Sequence, residues 1–135
     1  MPYFLDIFDF FEQINHNICG ENSMIYTINI KEGFPSADVA VGDALREIDV
    51  QKFAGTKIMK IIHGHGSHAK GGLIKKELHL ALEKIKKTHV IKDYIKGENF
   101  TSNNKYYSEV VSLSPDIVID NDLRTINMGI TIILL

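Results

Sequence analysis

The chain has a single cysteine, Cys19, in 135 residues, so no disulfide can close within it and a reducing compartment is expected. As a lone thiol, Cys19 reads as a small buried hydrophobe. Long apolar runs are also missing. The last of them, Ile130–Leu135 broken by Thr131, falls far short of the roughly 20 residues a membrane helix needs. The opening MPYFLDIFDFFEQ is apolar but acidic, with Asp6, Asp9 and Glu12 where a secretory signal carries basic residues. A cytoplasmic location without a membrane partner is therefore expected. There is no internal repeat, no low-complexity tract, and no Gly-Lys-Ser/Thr of a nucleoside-triphosphate loop. No paired carboxylates stand out for glycoside hydrolysis.

What is present is an ordinary globular composition, 44% apolar and 24% charged, enough for one domain with one core. The net charge of −2 hides a polarised distribution. Residues 1–56 sum to −6, residues 57–96 to +7 and residues 97–135 to −3. Ten lysines fall in the middle block, and a local positive field is what a polyanion would meet.

Periodicity divides the chain into elements. Met24–Ile30 reads as a strand. Gly33-Phe34-Pro35 breaks it, and Ser36 is suited to cap a helix carrying Ala40, Val41, Ala44, Leu45 and Ile48 on its apolar side, with Gly55 as the stop. Lys57–His63 is a second strand whose near-continuous apolar run suits a strand covered on both faces. Leu73, Ile74, Leu78, Ala81, Leu82 and Ile85 form a second helical stripe. Val90–Ile95 and Gly129–Leu135 read as two further strands. Between them, residues 97–128 are polar and irregular, with a short helical turn expected around Ser108–Leu113. Phe4, Phe8, Phe11 and Ile14 predict an N-terminal helix over residues 1–23, packed on the domain's own sheet or offered to a second copy as a homodimer contact.

The chemistry concentrates in KIMKIIHGHGSHAKGGLIKK, residues 57–76. A strand runs into His63-Gly64-His65-Gly66, then Lys70-Gly71-Gly72, then a helix bearing Lys75 and Lys76. Backbone N–H groups of a glycine loop at a helix N-terminus favour an anion, and the lysines add point charge. Gly64-x-Gly66-x-x-Ala69 matches the dinucleotide fingerprint only loosely, because the second glycine pair separates it from the helix. Neither metal nor organic cofactor is expected: His63, His65 and His68 have no nearby carboxylate or thiol to complete a zinc site. Acid–base chemistry suits these histidines better. Ser67 beside His68 has no orienting carboxylate. His16, His79 and His89 have no partner pattern and read as surface or helix-face residues.

On the strength of IIHGHGSHAKGGLIKKEL, the ALREI of the preceding helix and the terminal GITIILL, the chain resembles the Smr (small MutS-related) domain family. The resemblance covers residues 24–96 and the final strand, and HGHG at His63–Gly66 stands where that family has HGxG or TGxG. It implies an α/β two-layer sandwich of order β-α-β-α-β-β, a mixed four-stranded sheet with two helices on one face. Residues 24–135 would be the Smr-like domain, with residues 97–128 an insertion. Family members bind nucleic acid, and several cleave RNA or nick DNA.

The departure is at the end of the first strand. Family nucleases carry LDxH there, whereas this chain has Ile28-Asn29-Ile30-Lys31. Asn29 is no base, and Lys31 shuttles no proton at neutral pH but suits a phosphate. The expectation is nucleic-acid binding, RNA before DNA, through Lys31, His63, Gly64, His65, Gly66, Lys70, Gly71, Gly72, Lys75 and Lys76, with cleavage weak or lost. The alternatives are an endonuclease with His63 or His65 as acid/base and Glu32 or Asp38 as carboxylate, or a protein-interaction module acting through the N-terminal helix.

Overall fold

The computed structural model describes residues 25–64, 71–120, 123 and 126–135. The expected N-terminal helix over residues 1–23 and the loop residues His65, Gly66 and Lys70 lie outside them. The order is β1 (Ile25–Asn29), α1 (Ala37–Phe53), β2 (Ile58–Ile62), α2 (Gly71–Lys87), β3 (Asp93–Lys96), α3 (Tyr107–Leu113) and β4 (Ile130–Leu134). Single 3-10 turns at Gly97–Asn99 and Pro115–Ile119 flank α3. The protein is α/β, with a mixed four-stranded sheet of order β1-β2-β4-β3. β1 and β2 are parallel, and β4 runs antiparallel to both β2 and β3.

Alternation along the strands sorts side chains onto two faces. Met59, Ile61 and Ile133 point toward α1 and α2, where Ala40, Ala44, Ile48, Leu78 and Leu82 are fully buried against them. The small Ala40 and Ala44 let α1 lie close to the sheet. Ser36 caps α1 by accepting from Val39 N–H at 3.3 Å. Leu73, expected in the apolar stripe of α2, is exposed instead.

The opposite face carries Ile58, Ile95, Ile130, Ile132 and Leu134, packed against Val110 of α3 and Ile117. The 97–128 segment therefore covers the second face of the sheet, which is why β2 and β4 are apolar on both sides. A charged exception in the middle of β2 on that face is Lys60, 4% exposed. Its ammonium meets Asp120 Oδ2 of the covering segment at 2.8 Å. Gly97, at the entry to the segment, has no room for a side chain: a Cβ there would lie 1.9 Å from Asn127 O. No helix among the described residues is long and apolar enough to cross a membrane.

Candidate nucleic-acid interface

The strand directions gather the candidate residues at one edge of the sheet. β1, β2 and β3 all end there and β4 begins there, as the pairings Asn29↔Ile62, Ile62↔Ile130 and Lys96↔Thr131 require. Ligands of open α/β sheets bind outside the carboxyl ends of parallel strands. Lys31 follows β1, His63 and Gly64 follow β2, α2 opens at Gly71, and Lys96 closes β3.

Gly64 holds the exit of β2 in a left-handed turn, φ +73°, which glycine adopts without strain. The N–H groups of His63 and Gly64 both donate to Gly129 O, at 2.9 and 3.0 Å. Lys31 lies across the other side, its Cδ 3.3 Å from where a Cβ of Gly64 would sit. The cation after the first strand and the glycine turn after the second thus form one surface. Gly72 adds an open backbone in the first turn of α2, because a Cβ there would meet nothing within 4 Å. That turn contains no acidic residue, so no carboxylate of its own offsets the positive end of the helix dipole. Lys31, Lys76 and Lys96 are all exposed.

His63 is placed differently from the sequence expectation. Its ring is 1% exposed and lies under the turn. Nδ1 is 2.5 Å from Gly64 O and Nε2 is 2.8 Å from Thr131 Oγ1. A carbonyl only accepts, so Nδ1 carries the proton and the Thr131 hydroxyl donates to Nε2. Thr131 Oγ1 has then given its single proton, and it accepts from His79 Nε2–H at 2.8 Å. Burial lowers the His63 pKa, and burial with the neighbouring His63 lowers that of His79 to about 4, so both rings are neutral at pH 7. His63 supports the turn from within; it offers no free nitrogen to a ligand.

Lys75 is also committed. Its ammonium donates to Glu98 Oε2 at 2.7 Å and to Met128 O at 2.9 Å. The carboxylate whose charge acts on both His63 and His79 is Glu98, whereas Glu32 and Asp38 are exposed on the β1–α1 connection and the first turn of α1.

The residue that sequence reasoning missed is His79. Lys75, His79 and Glu83 recur every fourth position of α2, one stripe of a helix, and all three face polar partners on β3, β4 and the turn after β3. His79 stacks on Tyr94 at 5.7 Å, and Tyr94 OH donates to Glu83 Oε2 at 2.8 Å. Burial, with Glu83 adding to it, pushes the Tyr94 pKa up to about 12. A polar seam thus runs along α2 from this edge of the sheet, from Lys75 to Glu83. The i, i+4, i+8 spacing was a legible signal; its partners, brought from β3 and β4, were not.

Among the described residues no group of three His, Cys, Asp or Glu side chains converges to hold a metal ion. Comparison of the chain with protein-family models, with curated proteins and with solved structures found no match.

Proposed function

We propose that the chain is a Smr-like nucleic-acid-binding domain, with RNA as the preferred ligand, that holds a phosphate backbone at the carboxyl edge of its sheet and cleaves it weakly or not at all. The observation carrying this reading is the packing of the Lys31 side chain, at its Cδ, over Gly64, which brings a lysine to a glycine turn near a helix whose first turn holds no acidic residue. The residues that would touch phosphate are Lys31, Gly64, Gly71, Gly72 and Lys76 among those described, together with His65, Gly66 and Lys70. His63 and Lys75 stiffen that surface from below. The buried, neutral and fully bonded His63 supports binding over cleavage, since a general acid/base must reach the atom it protonates.

The test is binding of labelled single-stranded RNA by the wild-type chain, Lys31→Ala and Lys84→Ala. Lys84 is exposed near the far end of α2, about 20 Å along the helix from Gly71. Lys31→Ala should weaken binding severalfold for every sequence, because a phosphate contact carries no base information, and Lys84→Ala should leave it unchanged. Equal losses in the two variants would mean diffuse charge and no built interface. Cleavage of the RNA that disappears in His65→Ala would put the endonuclease reading in its place.

A further inference from the structure

Phe34 is the most exposed large apolar side chain among the described residues, 95% accessible. Its backbone sits at φ +53°, a left-handed conformation rare for a bulky side chain, and more so for one that precedes a proline. Nothing buries the ring in return. A strained residue kept on a surface points to a use at that surface.

Its placement indicates which use. Phe34 N–H donates to Lys31 O at 3.2 Å, closing a four-residue turn that brings Phe34 and Lys31 to neighbouring positions. On its other side, Pro35 and the Ser36 cap lead directly into α1. The ring is thus carried on a hydrogen-bonded turn beside the lysine whose Cδ packs over Gly64. A solvent-facing aromatic next to a lysine proposed to bind phosphate is the arrangement that receives an unpaired base, since every base has a π-face and duplex bases are not available to stack.

We infer that Phe34 is a stacking platform for an unpaired base, and that the ligand at this edge is a single strand. The inference rests on the phosphate-binding reading above and adds strandedness to it. A protein partner would use an exposed Phe for its apolar surface, without needing its flat π-face.

The chain contains no tryptophan, so Phe34→Trp places one indole at this position and its emission reports that site alone. Titration with single-stranded oligouridylate should quench the emission. Phe34→Ala should weaken single-strand binding about 5- to 150-fold, the range that one base–aromatic stack supplies, while binding of duplex DNA of equal length stays weak and unchanged. Phe34→Leu should bind like Phe34→Ala. Wild-type-like affinity in Phe34→Leu, or unquenched emission at saturation, would overturn stacking and assign Phe34 to a protein contact, with the phosphate reading intact. Failure of the wild-type chain to bind either nucleic acid would overturn both. Far-UV circular dichroism of each variant checks that the fold persists.

Discussion

Thr131 decides the state of two histidines with one hydroxyl. It gives its proton to His63 Nε2 and accepts one from His79 Nε2, so its loss leaves one buried and one half-buried ring nitrogen unpaired. Thr131→Val should cost about 1–3 kcal/mol in urea unfolding at pH 7, and Thr131→Ser should recover most of it; a loss under about 0.5 kcal/mol would mean the network contributes nothing. The histidines also set a pH dependence. Both have folded-state pKa values below the ordinary 6.5, so the unfolded chain takes up protons first as pH falls. Their contribution is complete above pH 6.5 and is lost between there and about 4, where His79 protonates in the folded state too. Unfolding midpoints measured from pH 7 to 4.5 should therefore fall, and fall less steeply in His79→Gln. Equal slopes would rule out His79 as the source. Residue identities alone did not reveal this, because a histidine on a helix face is buried or exposed according to what the sheet presents to it.

At the scale of elements, most of the architecture was legible and its limits have physical causes. The two helices and four strands follow from periodicity, and α1, β2 and β4 fall within a residue or two of their expected bounds. β3 begins at Asp93, three residues after the expected Val90, because Val90 N–H and His89 N–H still bond back to the end of α2. The 97–128 segment was the harder case. Its polar composition reads as a surface loop, yet Val110 and Ile117 are completely buried in the second core. The doubly apolar pattern of β2 and β4 was the available clue that something covers that face. Ile117→Ala should accordingly cost about 2–5 kcal/mol, as a core truncation does, with Leu82→Ala in the helical layer as comparison. A cost below about 1 kcal/mol would make the segment an ornament on the domain.

Across the described residues, four lysines of the middle block are held in ion pairs and do not join one free patch. Lys60 pairs with Asp120, Lys75 with Glu98, Lys86 with Asp93 and Lys92 with Glu109. Charge polarised along the sequence is thus partly cancelled in space, mostly by carboxylates of the acidic third block. Lys31, from the acidic first block, comes to the Gly64 turn instead, so the charge at this edge of the sheet is set by topology more than by the run of lysines. A few well-placed cations predict a modest dependence of affinity on salt. The decisive measurement is single-stranded RNA affinity across a salt series for the wild-type chain and for Lys31→Ala. Each phosphate contact contributes about 0.7 to the slope of log K against log salt, so the wild-type slope should correspond to a few contacts and Lys31→Ala should lower it by about one contact's share. A wild-type chain that fails to bind at low salt, or a slope untouched by Lys31→Ala, would contradict the account.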